Sequence, residues 1–269
     1  MEKKAFDRLR NIHLFLFDLD GTVYLEDTPV PGAVDLVSAL KREGRNCIFL
    51  TNNSSKSSGQ YLEKLAGMGF PVIAENILTS GQVTGWYLQR KKPGASAYVV
   101  GTEALKKELA GYEIRLVSED TRQVDYVVVG FDTELTYKKL RVAGEFLAAG
   151  ASFIATNPDL VCPVGGGRYI PDCGSICVLL ENATGKQPMF IGKPHSTMIE
   201  ALGDRFSVVK NTTAVIGDRL YTDIALGCNA GIMSICTLTG ETSRPMIRKA
   251  AYKPDLVVES VAELRSLLR

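Results

Sequence analysis

Histidine is nearly missing from this sequence, with His13 and His195 the only two in 269 residues. That scarcity rules against a histidine-rich zinc site, and a Ser-His-Asp triad would have to be built on one of these two, neither of which is placed for it. No C-x-x-C pair occurs either. The six cysteines, at 47, 162, 173, 177, 228 and 236, are spread through apolar segments of a chain too long to need disulfide staples, so a reducing cytoplasm fits their use. Cys173 and Cys177 are one helical turn apart with Cys162 nearby, but without a histidine in that region they read as small apolar core side chains. A bias of charge is missing as well. With 31 basic against 30 acidic residues, a net charge of +1 and no long run of either sign, a nucleic-acid or anionic-membrane surface has no electrostatic support. The charged start is followed by an apolar stretch that Asp18 and Asp20 break long before it could span a bilayer, so neither signal peptide nor membrane anchor is expected. Neither G-x-x-x-x-G-K-[ST] nor G-x-G-x-x-G appears, which leaves an ATP-driven kinase or a dinucleotide enzyme unsupported. Small molecules are the favoured partners, and a homo-oligomer stays open.

What is present is an alternation. Short apolar runs at 13–17, 47–50, 189–191, 214–216, 233–238 and 256–258 read as strands, most of them apolar on both faces. Amphipathic stretches at 32–43, 59–68, 196–206, 221–230, 243–251 and 261–268 read as helices. The pattern predicts an α/β fold, a doubly wound, Rossmann-like parallel sheet whose site lies at the carboxyl ends of its strands. The middle of the chain has strands at 97–100, 126–129 and 152–155 and helices near 103–110, 136–149 and 174–182, enough for a smaller α/β domain of its own. Turn-prone Thr79-Ser80-Gly81 and Gly185-Lys186-Gln187-Pro188 set its borders, giving a core of residues 1–80 and 186–269 with an insertion at 81–185. Gly165-Gly166-Gly167 reads as a turn.

Chemistry is concentrated just past the strands. Phe17-Asp18-Leu19-Asp20-Gly21-Thr22 brings two carboxylates to a sheet edge, and such a pair is stable with a cation or a shared proton; a hard ion such as Mg²⁺ suits it. Thr51-Asn52-Asn53-Ser54-Ser55 offers hydroxyl, amide and backbone N–H groups that can cradle phosphate oxygens or cap the next helix. Lys193, in Ile191-Gly192-Lys193-Pro194, can neutralise a phosphate and a nucleophile together. Gly217-Asp218-Arg219-Leu220-Tyr221-Thr222-Asp223 adds Asp218 at a strand end and Asp223 near a helix start, where it either binds the metal through water or orients Lys193.

The order DLDGT, TNNS, GKP, GDRLYTD resembles the haloacid dehalogenase (HAD) superfamily of phosphatases, and ATNPD and PDCGS in the insertion look like its NagD and p-nitrophenylphosphatase branch with an α/β cap. The resemblance implies a Mg²⁺-dependent phosphatase of small phosphorylated metabolites that works through an aspartyl phosphate. It implies that Asp18 is the nucleophile and Asp20 the general acid and base, and that Thr51 with Asn52 and Lys193 holds the phosphate, Asn53 lying in the same segment. It further implies a metal bound by Asp18, the main-chain carbonyl of Asp20, and Asp218. Cap loops carrying Asp132 and Cys162 are candidates for specificity. Two other classes share these parts: a phospho-Asp receiver, which would not need a domain-sized insertion, and a non-catalytic phosphate-ligand binding protein.

Overall fold

The computed structural model describes residues 2–164 and 166–268. Two units emerge, one of Met1–Leu50, Gly59–Leu78 and Lys193–Arg269, the other of Thr51–Ser58 and Thr79–Gly192. The first is built on a six-stranded sheet in the order Leu256–Val258, Met233–Thr237, Thr213–Gly217, Leu14–Asp18, Asn46–Thr51, Ile77–Thr79. Leu14–Asp18 is central because its first four residues are apolar on both faces and all four are buried, as a strand covered on both sides requires. It pairs in parallel with Thr213–Gly217 on one side and Asn46–Thr51 on the other. The chain therefore runs outward first to one side and later to the other, and the reversal leaves a crevice at the carboxyl ends of the central strands. Phe15, Phe17, Phe49 and Phe70 form a row on one face at centroid spacings of 6.2, 5.9 and 5.8 Å, the first pair stacked and the last edge to face. The helix Ala33–Arg42 buries Ala33, Leu36, Val37 and Leu40 there, a 3.6-residue stripe in which each leucine contributes roughly 1.5–3 kcal/mol.

The second unit has a five-stranded parallel sheet in the order Met189–Phe190, Ser152–Ala155, Tyr126–Val129, Ser96–Val100, Arg115–Leu116. Helices Glu103–Ala110, Tyr137–Ala148 and Cys173–Thr184 lie where the sequence predicts them. A hairpin of Val161–Val164 and Arg168–Pro171 is added. Gly166 and Gly167 take φ of 74° and 71° in its turn, and Gly165 lies outside the described residues.

Two readings are corrected. Met189–Phe190, expected in the first unit, pairs with Ser152–Ala155, Met189 beside Ile154, so this unit continues past Gly185-Lys186-Gln187-Pro188 to Gly192. A strand of two residues carries no pattern of its own, and its partner is chosen by tertiary packing. Thr79-Ser80-Gly81 is likewise not a turn but a strand end running straight into the helix Ser80–Lys91. Thr79 Oγ1 accepts the Gln82 N–H at 3.0 Å and Gln82 Oε1 accepts the Thr79 N–H at 3.2 Å, a capping box that the Thr-x-x-Gln spacing encodes. Among the described residues no helix is long and apolar enough to cross a membrane.

Candidate active site

Asp18 ends one central strand and Asp218 directly follows its neighbour, and because Phe17 lies beside Ile216 in register both carboxylates leave the sheet at the same end. The Thr22 hydroxyl lies 3.4 Å from an oxygen of each. Asp223 arrives by another route. Leu220–Ile224 forms a π-helical turn, which directs Asp223 back against its strand, and Asp223 Oδ2 accepts the Arg219 N–H at 3.1 Å. Gly217 makes room for this, since a Cβ there would fall 2.2 Å from Asp223 Cγ. Gly21, at φ +88°, does the same for Asp218, whose oxygen would lie 2.6 Å from an added Cβ. Lys193 completes the group. Its side chain is 2% exposed, and its ammonium donates to Asp18 Oδ1 and, at 2.7 Å, to Asp223 Oδ1.

Asp18, Asp218 and Asp223 each present an oxygen within 4.8 Å of the others. Asp223, expected in support, is thus one of three converging carboxylates. The exposed Asp20, expected to bind the ion through its main-chain carbonyl, has its carboxylate outside that group, accepting from the Tyr24 hydroxyl at 3.1 Å. Burial pushes the Asp18 carboxyl up to about 8; Lys193 opposes the rise, and Asp223 and Asp218 add to it. Asp218 is pushed up to about 6 by burial and then by Asp223, against a Glu241 N–H that donates to it at 2.7 Å. Burial disfavours the Lys193 charge, but Asp18 and Asp223 outweigh it and hold the ammonium above its ordinary range. Three carboxylates facing one ammonium leave negative charge uncompensated at low dielectric. An all-oxygen donor set of that charge fits a hard divalent cation. Among the described residues it is the one such acidic or thiol grouping with metal-ligand spacing, and Cys173 and Cys177 are buried in an apolar cluster instead.

Sequence reasoning missed the groups that hold these side chains. Glu241, whose N–H meets Asp218, is gripped by Arg219 at 3.2 Å and by the Tyr221 hydroxyl at 3.1 Å. It follows another strand, with no local signal that it belongs here. Tyr24 and Thr22 are four residues beyond Asp20 and Asp18, and turn geometry was the only available clue.

The remaining predicted residues lie in the second unit. The Thr51 hydroxyl accepts the Asn53 N–H at 3.1 Å, and Asn53 Oδ1 accepts the Ser55 N–H at 3.0 Å, a segment folded by its own side chains. Asn52 donates to Asp159 at 2.8 Å, which Asn157 also meets at 2.9 Å, so the TNNS and ATNPD segments are joined by one buried polar network. Asp132 is ion-paired with Lys139 at 2.8 Å, its side chain fully covered, and it accepts the Glu134 N–H at 2.9 Å. It shapes its loop. Cys162 stands on the hairpin opposite Ile170 and is half-buried against the apolar cluster of the unit.

Comparison with known proteins agrees with this fold. A model of haloacid dehalogenase-like hydrolases matches residues 15–115, and a HAD-hydrolase-like model matches residues 190–264. An acid sugar phosphatase of Staphylococcus saprophyticus is 34% identical over 95% of this chain and 98% of its own. The chain belongs to the haloacid dehalogenase-like hydrolase family. A second relative, the 5′-nucleotidase YutF of Bacillus subtilis, is 34% identical over 93% of this chain and 96% of its own. Among solved structures, a 4-nitrophenylphosphatase from Thermotoga maritima matches with a TM-score of 0.92 at 39% identity, over 97% of this chain and 99% of that one. NagD from Escherichia coli K-12 matches at 0.85 and 32% identity, over 94% and 98%. The chain is a NagD-like HAD phosphatase, a phosphoric monoester hydrolase.

Proposed function

We propose that this HAD phosphatase hydrolyses small phosphorylated metabolites, sugar phosphates or nucleoside monophosphates, through a phosphorylated Asp18 and with Mg²⁺ as its ion. The observation that carries the reading is the convergence of Asp18, Asp218 and Asp223 around Lys193 at the switch point of the sheet. The names of its relatives, an acid sugar phosphatase and a 5′-nucleotidase, support the substrate class. Asp18 attacks phosphorus as the bond to the leaving oxygen breaks, and Asp20 gives that oxygen a proton. Asp20 then takes a proton from the water that opens the aspartyl phosphate. Lys193 offsets the repulsion between an anionic nucleophile and an anionic ester. Asp18 and Asp218, with the Asp20 carbonyl and Asp223 beside them, would hold the ion. When bound it supplies positive charge to the equatorial oxygens of the transferring phosphoryl group. Thr51, Asn52 and Asn53 are proposed for phosphate, and loops of the inserted unit that include Asp132 and Cys162 for choice among leaving groups. The thiols, all six free, support a cytoplasmic setting.

The test is turnover of p-nitrophenyl phosphate by the wild type and by Asp18→Asn, which is near-isosteric but a poor nucleophile. A fall of at least about 10³-fold with the fold unchanged is expected, together with loss in EDTA, recovery in Mg²⁺ and little activity in Ca²⁺. Substantial turnover by the purified variant would remove Asp18 from the nucleophile role, and full activity in chelator would remove the metal.

A further inference from the structure

We propose that the loop Thr239-Gly240-Glu241, outside the four motifs, holds the metal ligands rigid and so sets the preference for Mg²⁺ over Ca²⁺, an inference that rests on the reading of Asp218 and the Asp20 carbonyl as ligands. Register brings the loop there. Gly217 lies beside Cys236 in a parallel pair, so the chain that leaves Thr237 passes the strand end that Asp218 directly follows. The Glu241 N–H donates to Asp218 Oδ2 at 2.7 Å. A Cβ on Gly240 would fall 2.0 Å from that same oxygen and 2.8 Å from Asp218 Cβ, so rotation of the carboxylate does not clear it. On Gly21 a Cβ would fall 2.6 Å from the oxygen as well. Two glycines therefore wall the oxygen that the N–H engages. Gly240 is not among the glycines of positive φ, so close approach alone requires it.

The loop is anchored at both ends. The Thr239 hydroxyl donates to the Gly21 carbonyl at 2.6 Å and lies 3.2 Å from Oγ1 of Thr237, a fully buried residue at the end of its strand. The preceding peptide joins Asp20 to Gly21, and its N–H donates to the Tyr24 carbonyl at 2.9 Å. The Asp20 carbonyl thus belongs to a peptide tied on its N–H side, and the peptide that follows is held by Thr239. At the other end Glu241 Oε2 meets Arg219 Nε at 3.2 Å and the Tyr221 hydroxyl at 3.1 Å, side chains that come just after Asp218 in the chain. One segment secures Asp218 by an N–H, the turn after it by a carboxylate, and the Asp20–Gly21 turn by a hydroxyl. Groups that orient metal ligands typically change affinity by about 10- to 100-fold when removed. Rigidity matters more for Mg²⁺, which demands near-octahedral geometry, than for Ca²⁺, whose coordination is flexible.

The experiment measures the affinity of the whole chain for Mg²⁺ and for Ca²⁺ by calorimetry in the wild type, Gly240→Ala, Thr239→Val, Thr239→Ser and Asp218→Asn. Urea unfolding in EDTA checks that each is folded. In Gly240→Ala either Asp218 or the loop must move, and the Glu241 bond is lost with it. Mg²⁺ binding should weaken about 10- to 100-fold and Ca²⁺ binding less than about 3-fold. Thr239→Val should weaken Mg²⁺ by about 3- to 10-fold with the same bias, while Thr239→Ser, which keeps the hydroxyl, should stay within about 2-fold of the wild type. Equal losses on both ions, or none, in either folded variant would reduce the loop to packing and overturn the proposal. A loss in Thr239→Ser as large as in Thr239→Val would do the same. If Gly240→Ala does not fold, the Thr239 pair decides alone. If Asp218→Asn binds Mg²⁺ as the wild type does, the ligand reading fails and this inference with it, an outcome distinct from silent loop variants beside a damaged Asp218→Asn.

Discussion

At the scale of single residues, the site works by crowding charge and then leaving little room for error. Lys193 pairs with both Asp18 and Asp223, so Lys193→Met would break a buried ion pair with each. Breaking such a pair costs about 3–5 kcal/mol, and turnover should fall at least about 10²-fold, measured by denaturant unfolding and by p-nitrophenyl phosphate hydrolysis. Gly217→Ala tests crowding without touching charge. Its Cβ would meet Asp223 Cγ at 2.2 Å and Cβ at 2.3 Å, so rotation of the side chain cannot clear it and the π-helical turn must shift, drawing Asp223 off Lys193. Activity should drop at least about 10-fold and stability by about 1–3 kcal/mol, and wild-type kcat would show that Asp223 is not needed in that pose. The residue types were legible in the sequence, as carboxylates and a lysine just past apolar strands. The roles of Gly217 and Glu241 were not, because a close approach between segments leaves no local mark.

Among elements, legibility followed length. The helices Glu103–Ala110, Tyr137–Ala148 and Ala33–Arg42 and the central strands lie within a residue or two of their expected places, since each carries enough apolar positions to show its period. The exceptions were short or disguised. Met189–Phe190 is too brief to announce its sheet, and glycine in Thr79-Ser80-Gly81 hid a capped helix whose signal lay three residues on, at Gln82. That cap gives a direct test. Thr79 Oγ1 accepts from Gln82 and its hydroxyl donates to Glu108 at 2.6 Å, so Thr79→Ala should cost about 1–2 kcal/mol. Unfolding of the variant in urea checks it, and an unchanged midpoint would mean the helix start does not depend on its cap.

For the whole molecule, the acidic cluster ties stability to pH and to metal. Without an ion the folded chain keeps Asp18 protonated up to about pH 8 and Asp218 up to about 6. Unfolded carboxylates ionise at about 4. Across that window the native state binds protons that the unfolded state has lost, so this contribution is fully present below pH about 4 and disappears as pH rises towards about 8. Mg²⁺ binds the ionised carboxylates, and its stabilising effect should therefore be larger at pH 8 than at pH 5, by a difference on the order of 1–3 kcal/mol. Thermal unfolding in EDTA and in Mg²⁺ at both pH values measures it. Equal stabilisation at the two pH values would place the ion somewhere other than this cluster.

The sequence by itself determined the kind of chemistry and the kind of sheet. Short apolar runs alternating with amphipathic helices favour covered parallel strands, and carboxylates at their ends can face one another only with a cation or a shared proton. Tertiary structure alone decided which carboxylates converge. The parallel register sets Asp18 beside Asp218, the π-helical turn brings Asp223 in where the linear spacing suggested a supporting place, and the packing of Tyr24 carries a hydroxyl to Asp20. Such distances depend on how separate segments pack in three dimensions, and a one-dimensional pattern carries periodicity but no packing.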